Sequence, residues 1–327
     1  MLIKKLLIAT AGTAISLTAF LANTLTIDAY PAKAVAQNFN EIYVFGDSLS
    51  DVGNMSQATK GNSPPSPLYY QGRYSNGLVW VDYLASKFKL TINKNNNFAY
   101  GGATTDNSTQ APLGLLTQIK RFRSNHSSAN PKALYIIWAG ANDYFRGTTD
   151  STTPINNLTL AVKSLSAAGA KNIAVVNLPD LGNLPGTRDT QYSVLLTDVT
   201  KKHNSGLAKS LNDLRQQLRS DVNIKYIDVN SLYKQAISNP KKFGFKNVTQ
   251  SCISRSRICA NPNEYLFWDG IHPTTAAHKI LVESAFSELK PKPESVQVSN
   301  SNLSVPLGLV VGAAVSTGLI FVGQKVI

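Results

Sequence analysis

The chain has 327 residues but only two cysteines and four histidines, and this scarcity removes several chemistries. A structural zinc site wants four sulfur or nitrogen ligands gathered together. Cys252 and Cys259 have no such cluster beside them. The pair is read instead as a disulfide closing a short loop, with two free thiols as the alternative. Acidic residues are also sparse: 19 Asp and Glu against 32 Lys and Arg leave a net charge of +13. Such an excess raises the question of an anionic partner. The bases are scattered, however, with no dense basic tract interleaved with aromatics, so no nucleic-acid partner is expected. No segment recurs at a fixed period, which excludes solenoids and propellers.

The two ends differ from the rest. Lys4 and Lys5 precede an uncharged apolar run from Leu6 to Leu21, and Ala34-Val35-Ala36 offers a small-x-small cleavage site. Residues 1–36 therefore read as an export signal, with a retained anchor helix as the alternative. From Leu303 to Gln324 no residue is charged, and Lys325 follows. A stretch of about 20 apolar residues suffices to cross a bilayer. Residues 291–304 read as a linker rich in Ser and Asn. Residues 305–327 read as a membrane anchor or a sorting tail. Between the ends lie residues 37–290, about the normal size for one α/β domain. The expected setting is exported, with membrane association through the C-terminal segment.

Along that domain, short apolar stretches alternate with amphipathic ones. Strands are read at Glu41–Phe45, Ala133–Ala139, Asn172–Asn177 and Asn223–Val229, with a short one at Phe98–Tyr100. Helices are read at Leu78–Phe88, Leu113–Arg123, Ile155–Ala168, Gln191–Arg219 and Thr274–Leu289. Alternation of this kind implies a parallel sheet with helices on both faces. Its active edge is the one outside the strand C-termini.

Four blocks fall at such positions. The first is Phe45-Gly46-Asp47-Ser48-Leu49-Ser50-Asp51, directly after a strand, with Ser50 as a rival to Ser48. Ser50 also departs from the Gly-x-Ser-x-Gly elbow of the α/β-hydrolases. The second is Asn97-Phe98-Ala99-Tyr100-Gly101-Gly102-Ala103, whose paired glycines let backbone approach a ligand. The third is Trp138-Ala139-Gly140-Ala141-Asn142-Asp143, where an Asn amide can donate to a developing oxyanion. The fourth is Trp268-Asp269-Gly270-Ile271-His272-Pro273. Asp269 can reach Nδ1 of His272 across the turn and fix its tautomer. His126 and His203 read as solvent-facing, and His278 is explained by packing or exposure. Each block alone suits an ordinary turn; their order and spacing do not.

Together the blocks resemble the GDSL esterases and lipases, or SGNH hydrolases, from Ile42 to about Leu281. Gly72-Arg73-Tyr74-Ser75-Asn76-Gly77 and Asn177-Leu178-Pro179-Asp180-Leu181-Gly182 join the match. The resemblance implies an α/β fold, a three-layer αβα sandwich around a mostly parallel, flavodoxin-like sheet of about five strands. It also implies Ser48 as nucleophile, His272 as base and Asp269 as the residue orienting it. The oxyanion donors would be the Ser48 and Gly102 N–H groups and the Asn142 side chain, with Gly101 in place of Gly102 if the loop register differs by one. No metal or organic cofactor is implied. The expected reaction is hydrolysis of a carboxylic ester, with lipid esters favoured, through an acyl-serine. A polysaccharide O-acetyl esterase or an acyltransferase would use the same residues. A tethered surface-binding module that inherited the fold is the non-enzymatic rival.

Overall fold

The structure is a computed structural model that describes residues 39–289 except 255 and 256. The leader, the linker and the apolar C-terminal segment lie outside the described residues. Among the described residues, no helix is long and apolar enough to cross a membrane.

The core is a parallel sheet of β1 (Glu41–Gly46), β2 (Ala133–Trp138), β3 (Asn172–Val176) and β4 (Asn223–Ile227), in that order. Its central strand β2 is buried at every residue, which is why Ala-Leu-Tyr-Ile-Ile-Trp reads as one continuous apolar run rather than an alternation. The sheet has four strands, not the expected five. The fifth place, beside β1, is taken by residues 96–100, which make one isolated parallel bridge, Val44 to Asn97. Val44 N–H donates to Asn96 O at 2.9 Å, and Phe98 and Tyr100 N–H donate to Val44 and Gly46 O at 2.7 and 3.1 Å. This segment continues straight into the second block, so it serves as a positioned loop as much as a strand.

Alternating side chains along the strands build two cores. Ile42, Val44, Leu134, Ile136 and Ala174 face α2 (Trp80–Lys87), α7 (Val229–Ser238) and α8 (Thr275–Leu289). Tyr43, Phe45, Tyr135, Ile137 and Val175 face α3 (Leu115–Asn125), α5 (Thr152–Ala167) and the C-terminal half of α6 (Ser193–Gln217). The three-layer sandwich follows. Each buried Leu, Ile or Phe in these layers contributes about 1.5–3 kcal/mol. The sequence reading ran β4 through Val229 and missed α7. There Asp228 caps the helix by accepting the Ser231 N–H, and Val229, Tyr233 and Ala236 repeat at helical spacing. Two further short pairings complete the fold: β5 (Asn247–Ser251) lies parallel to β8 (Tyr265–Phe267), and β6 (Ile253–Ser254) is antiparallel to β7 (Arg257–Ile258). Cys252 and Cys259 are joined by a disulfide across the base of that hairpin.

The histidines correct the sequence reading. His203 is fully buried, continuing a stripe of Leu196, Val199, Leu207, Leu211 and Leu214 on α6. Its Nδ1 lies 2.8 Å from the Tyr144 hydroxyl. The polar sequence around it belongs to the other faces of the same helix. His126 is half-buried, its ring stacked on Phe122 at 4.4 Å between centroids. His278 is buried on α8.

Burial pulls His203 down to about 4, and burial together with the charge of His272 pulls His278 down to about 3. Both rings are therefore neutral in the folded protein at any pH above these values. Below about 6.5 the unfolded chain binds protons that the folded one refuses, so stability is full above pH 6.5 and is lost as pH falls toward 4. His203→Gln keeps an acceptor for Tyr144 and should remove one such proton. The wild-type unfolding free energy should then fall faster than the variant's by about 1.2 kcal/mol per pH unit between pH 6 and 4.5. Urea titrations at stepped pH measure the difference, and parallel curves would refute it.

Candidate active site

All four blocks meet at the C-terminal edge of the sheet. Asp47 N–H donates to Trp138 O at 3.3 Å, tying the turn after β1 to the end of β2. Gln118, buried on α3, grips the same turn from the other side. Its side chain accepts the Gly46 N–H and donates to the Gly46 carbonyl, both at 2.8 Å. Ser48 stands on this turn. Its Oγ lies 2.8 Å from Nε2 of His272, and Nδ1 of His272 lies 2.7 Å from Oδ2 of Asp269. Ser48 and His272 are each only 7% exposed.

The proton positions in this chain follow from charge. Burial pushes Asp269 upward, but the His272 imidazole, the Tyr69 hydroxyl and the Ile271 N–H outweigh it and hold the carboxyl down at about 2. It is ionised at neutral pH and can only accept. Nδ1 of His272 therefore carries a proton, Nε2 of the neutral ring is the acceptor, and the Ser48 hydroxyl donates to it. Asp269 is fully occupied: Oδ1 accepts Ile271 and His272 N–H at 2.9 and 2.7 Å, and Oδ2 accepts the Tyr69 hydroxyl at 2.7 Å besides His272.

The second and third blocks are locked beside the first. The Asn142 amide donates to Ala103 O at 3.0 Å and approaches Oδ2 of Asp47 at 3.5 Å. Gly102 has φ +80, a conformation that favours glycine. Arg146 holds this residue from outside by donating to its carbonyl at 2.8 Å. Gly101 is different. Its N–H is spent on Oδ2 of Asp51 at 2.8 Å, and a Cβ there would overlap the Tyr74 ring. The Ser48 and Gly102 N–H groups have no partner among the described residues. Of the two glycines, only Gly102 keeps an N–H without a partner among the described residues. Ser50 is fully buried, and its Oγ accepts the Trp80 indole N–H at 3.1 Å. It faces the core rather than His272.

Several residues with parts in this architecture escaped the sequence reading. Asp51 accepts four backbone N–H groups, from Gly53, Asn54, Met55 and Gly101. Asp143 accepts both the N–H and the hydroxyl of Thr105, at 3.0 and 2.6 Å. Both aspartates sat inside quoted blocks, where their placement after glycine-rich turns was the available signal. Burial pushes Asp47 up to about 7, against the opposing pull of the Leu49 N–H and His272. Tyr69 is 200 residues from Asp269 and gave no local signal.

A hydroxyl, an imidazole and a carboxylate joined in sequence at the mouth of a parallel sheet define the site class of a serine hydrolase. The model of the GDSL-like Lipase/Acylhydrolase family matches residues 42–285, and the chain belongs to that family. It is similar to a phosphatidylcholine-sterol acyltransferase of Aeromonas hydrophila, 29% identical over 80% of this chain and 92% of the relative. It is also similar to a GDSL lipase of Tanacetum cinerariifolium, 28% identical over 76% and 84%. Among solved structures it aligns with a carbohydrate acetylesterase from Sinorhizobium meliloti at TM-score 0.45 and 18% identity, over 76% of this chain and 96% of that one. The chain is accordingly a hydrolase acting on carboxylic ester bonds.

Two substitutions separate the two serines and test the carboxylate's surroundings. Ser50→Ala leaves the Trp80 N–H unpaired, so it should cost about 1–3 kcal/mol of stability while ester hydrolysis stays within about two-fold. Tyr69→Phe removes one of the bonds that hold Asp269 and should lower kcat by about 3- to 10-fold with KM little changed. Steady-state kinetics on a soluble ester, with chemical denaturation alongside, read both.

Proposed function

We propose that Ser48 is the nucleophile, His272 the general base and Asp269 the residue that orients it, in an exported esterase acting on lipid esters. The observation that carries the reading is the unbroken chain from Ser48 Oγ to His272 Nε2, 2.8 Å, and from His272 Nδ1 to Asp269, 2.7 Å. As Oγ attacks the ester carbonyl, Nε2 takes its proton and the ionised Asp269 stabilises the imidazolium. The negative charge forming on the carbonyl oxygen is met by the Ser48 and Gly102 N–H groups and the Asn142 amide, each donor contributing about 3 kcal/mol. The imidazolium then returns the proton to the departing alcohol, leaving an acyl-serine. Water, deprotonated by the same ring, releases the acid.

An acceptor alcohol in place of water would make the second half-reaction an acyl transfer. The similarity to an acyltransferase supports that second reading. Export is supported by the disulfide, which persists in oxidising compartments, and by the leader pattern of residues 1–36. Lipid esters are favoured over acetylated polysaccharide by the basic balance of the chain, a net +13 that stays near +11 without residues 1–36.

Ser48→Ala and His272→Ala should each abolish hydrolysis of a short-chain p-nitrophenyl ester and labelling by a fluorophosphonate, with circular dichroism unchanged. Asn142→Ala should retain labelling but lose about 100- to 1,000-fold in kcat. Retained turnover in Ser48→Ala would sink the assignment. Rates on phospholipid vesicles, triglyceride emulsions and acetylated xylan rank the substrate classes.

A further inference from the structure

Helix α6 is longer than the sheet it crosses. Its 25 residues extend about 37 Å, whereas the five residues of β3 rise about 17 Å. Two contacts fix its height. Near its C-terminus, Nε of Arg215 donates to the carbonyl of Ile224 at 3.0 Å, at the start of β4. Farther up, the Asn204 side chain bonds the N–H and carbonyl of Leu178 at 3.0 and 2.8 Å, just past the end of β3. Ser193, at the start of α6, therefore stands about 16 Å above the sheet edge that carries Ser48.

The tip of this projection is apolar. Tyr192, Val194 and Leu195 are 56%, 74% and 47% exposed. Of the six large apolar side chains exposed among the described residues, a fourth is Tyr70, adjacent to the Tyr69 that bonds Asp269. The segment leading into α6 is pinned to the same place, since Gly186 N–H donates to the carbonyl of Gly270 at 2.8 Å. The exposed apolar side chains thus concentrate on the two segments hydrogen-bonded to the Asp269–His272 turn.

Charge indicates what they meet. Lys201, which lies 3.8 Å from Asp198, and Lys202 are exposed on α6 seven residues below Val194 and Leu195, on the same face and about 10 Å lower. That spacing suits a lipid–water boundary, with apolar side chains among acyl chains and ammonium groups at the level of the phosphates. We propose that the first turns of α6, together with Tyr70, dock this enzyme on an anionic phospholipid surface with the Ser48 mouth facing the lipid. The proposal rests on the ester-hydrolase reading only for what the docked site then does.

The uncharged segment 303–324 can itself hold the chain on vesicles, so the test must be specific to position. The two native cysteines are paired, so Val194→Cys or Lys209→Cys, each in the full-length Ser48→Ala chain, takes a single environment-sensitive fluorophore. Vesicles of phosphatidylcholine with phosphatidylglycerol should blue-shift and intensify the label at 194 and leave that at 209 unchanged. Pure phosphatidylcholine should need about ten-fold more lipid. The triple variant Tyr192→Ser, Val194→Ser, Leu195→Ser, with Ser48 intact, should hydrolyse a soluble short-chain ester at the wild-type rate. On an ester carried in anionic vesicles it should lose about ten-fold or more. An unchanged label at 194, equal changes at both positions, or a change that follows protein concentration without lipid (a second copy on the patch) overturns the docking. A shift at 194 in a protein whose wild type cleaves no ester sinks the proposed function and leaves the docking standing.

Discussion

The site depends on a carboxylate that stands outside the chain of Ser48, His272 and Asp269. Asp51 is fully buried and gathers the N–H groups of Gly53, Asn54 and Met55 at the start of α1 (Asn54–Ala58), and that of Gly101 from the loop beyond β1's open edge. Burial pushes the Asp51 carboxyl above its ordinary range, and these four donors pull it back only in part. One carboxyl group thereby ties the turn that carries Ser48 to the loop that carries Gly102. Asn54 adds to the clamp by donating to the carbonyls of Asn97 and Ala99. Together with the main-chain bonds between β1 and residues 96–100, these contacts hold the two loops in register.

The same economy recurs around the edge. Asp143 ties Thr105 to α4 (Ala141–Phe145), and Gln118 ties β1 to α3. Each is a polar side chain spent on backbone groups that a loop cannot pair within itself. Trp80 and Ser50 show the reverse use, a hydroxyl drawn into the core to satisfy an indole. The buried polar residues at this edge are thus largely the frame of the site rather than its chemistry.

Much of this was legible in the sequence, for identifiable reasons. Continuous apolar runs marked β2 and β3 because both faces of a central parallel strand are covered. The four blocks marked Ser48, Gly102, Asn142, Asp269 and His272, which the structure brings to one edge. What stayed illegible was set by long-range contact. Tyr69 joins Asp269 across 200 residues, and nothing local in a proline-rich loop announces that bond. The fifth strand place dwindled to a single bridge because residues 96–100 serve a glycine turn. His203 was misread because polar neighbours on α6 masked its place in an apolar stripe that periodicity alone could have revealed.

Asp269 grips His272 twice, by its main-chain N–H through one oxygen and by its ring through the other. The pair is a closed ring of bonds within four residues and needs no distant segment to close it. Aligning three side chains in space would ordinarily require three separate chain segments to arrive in register. Here two suffice, since His272 and Asp269 share one short turn and only the turn that carries Ser48 must meet it.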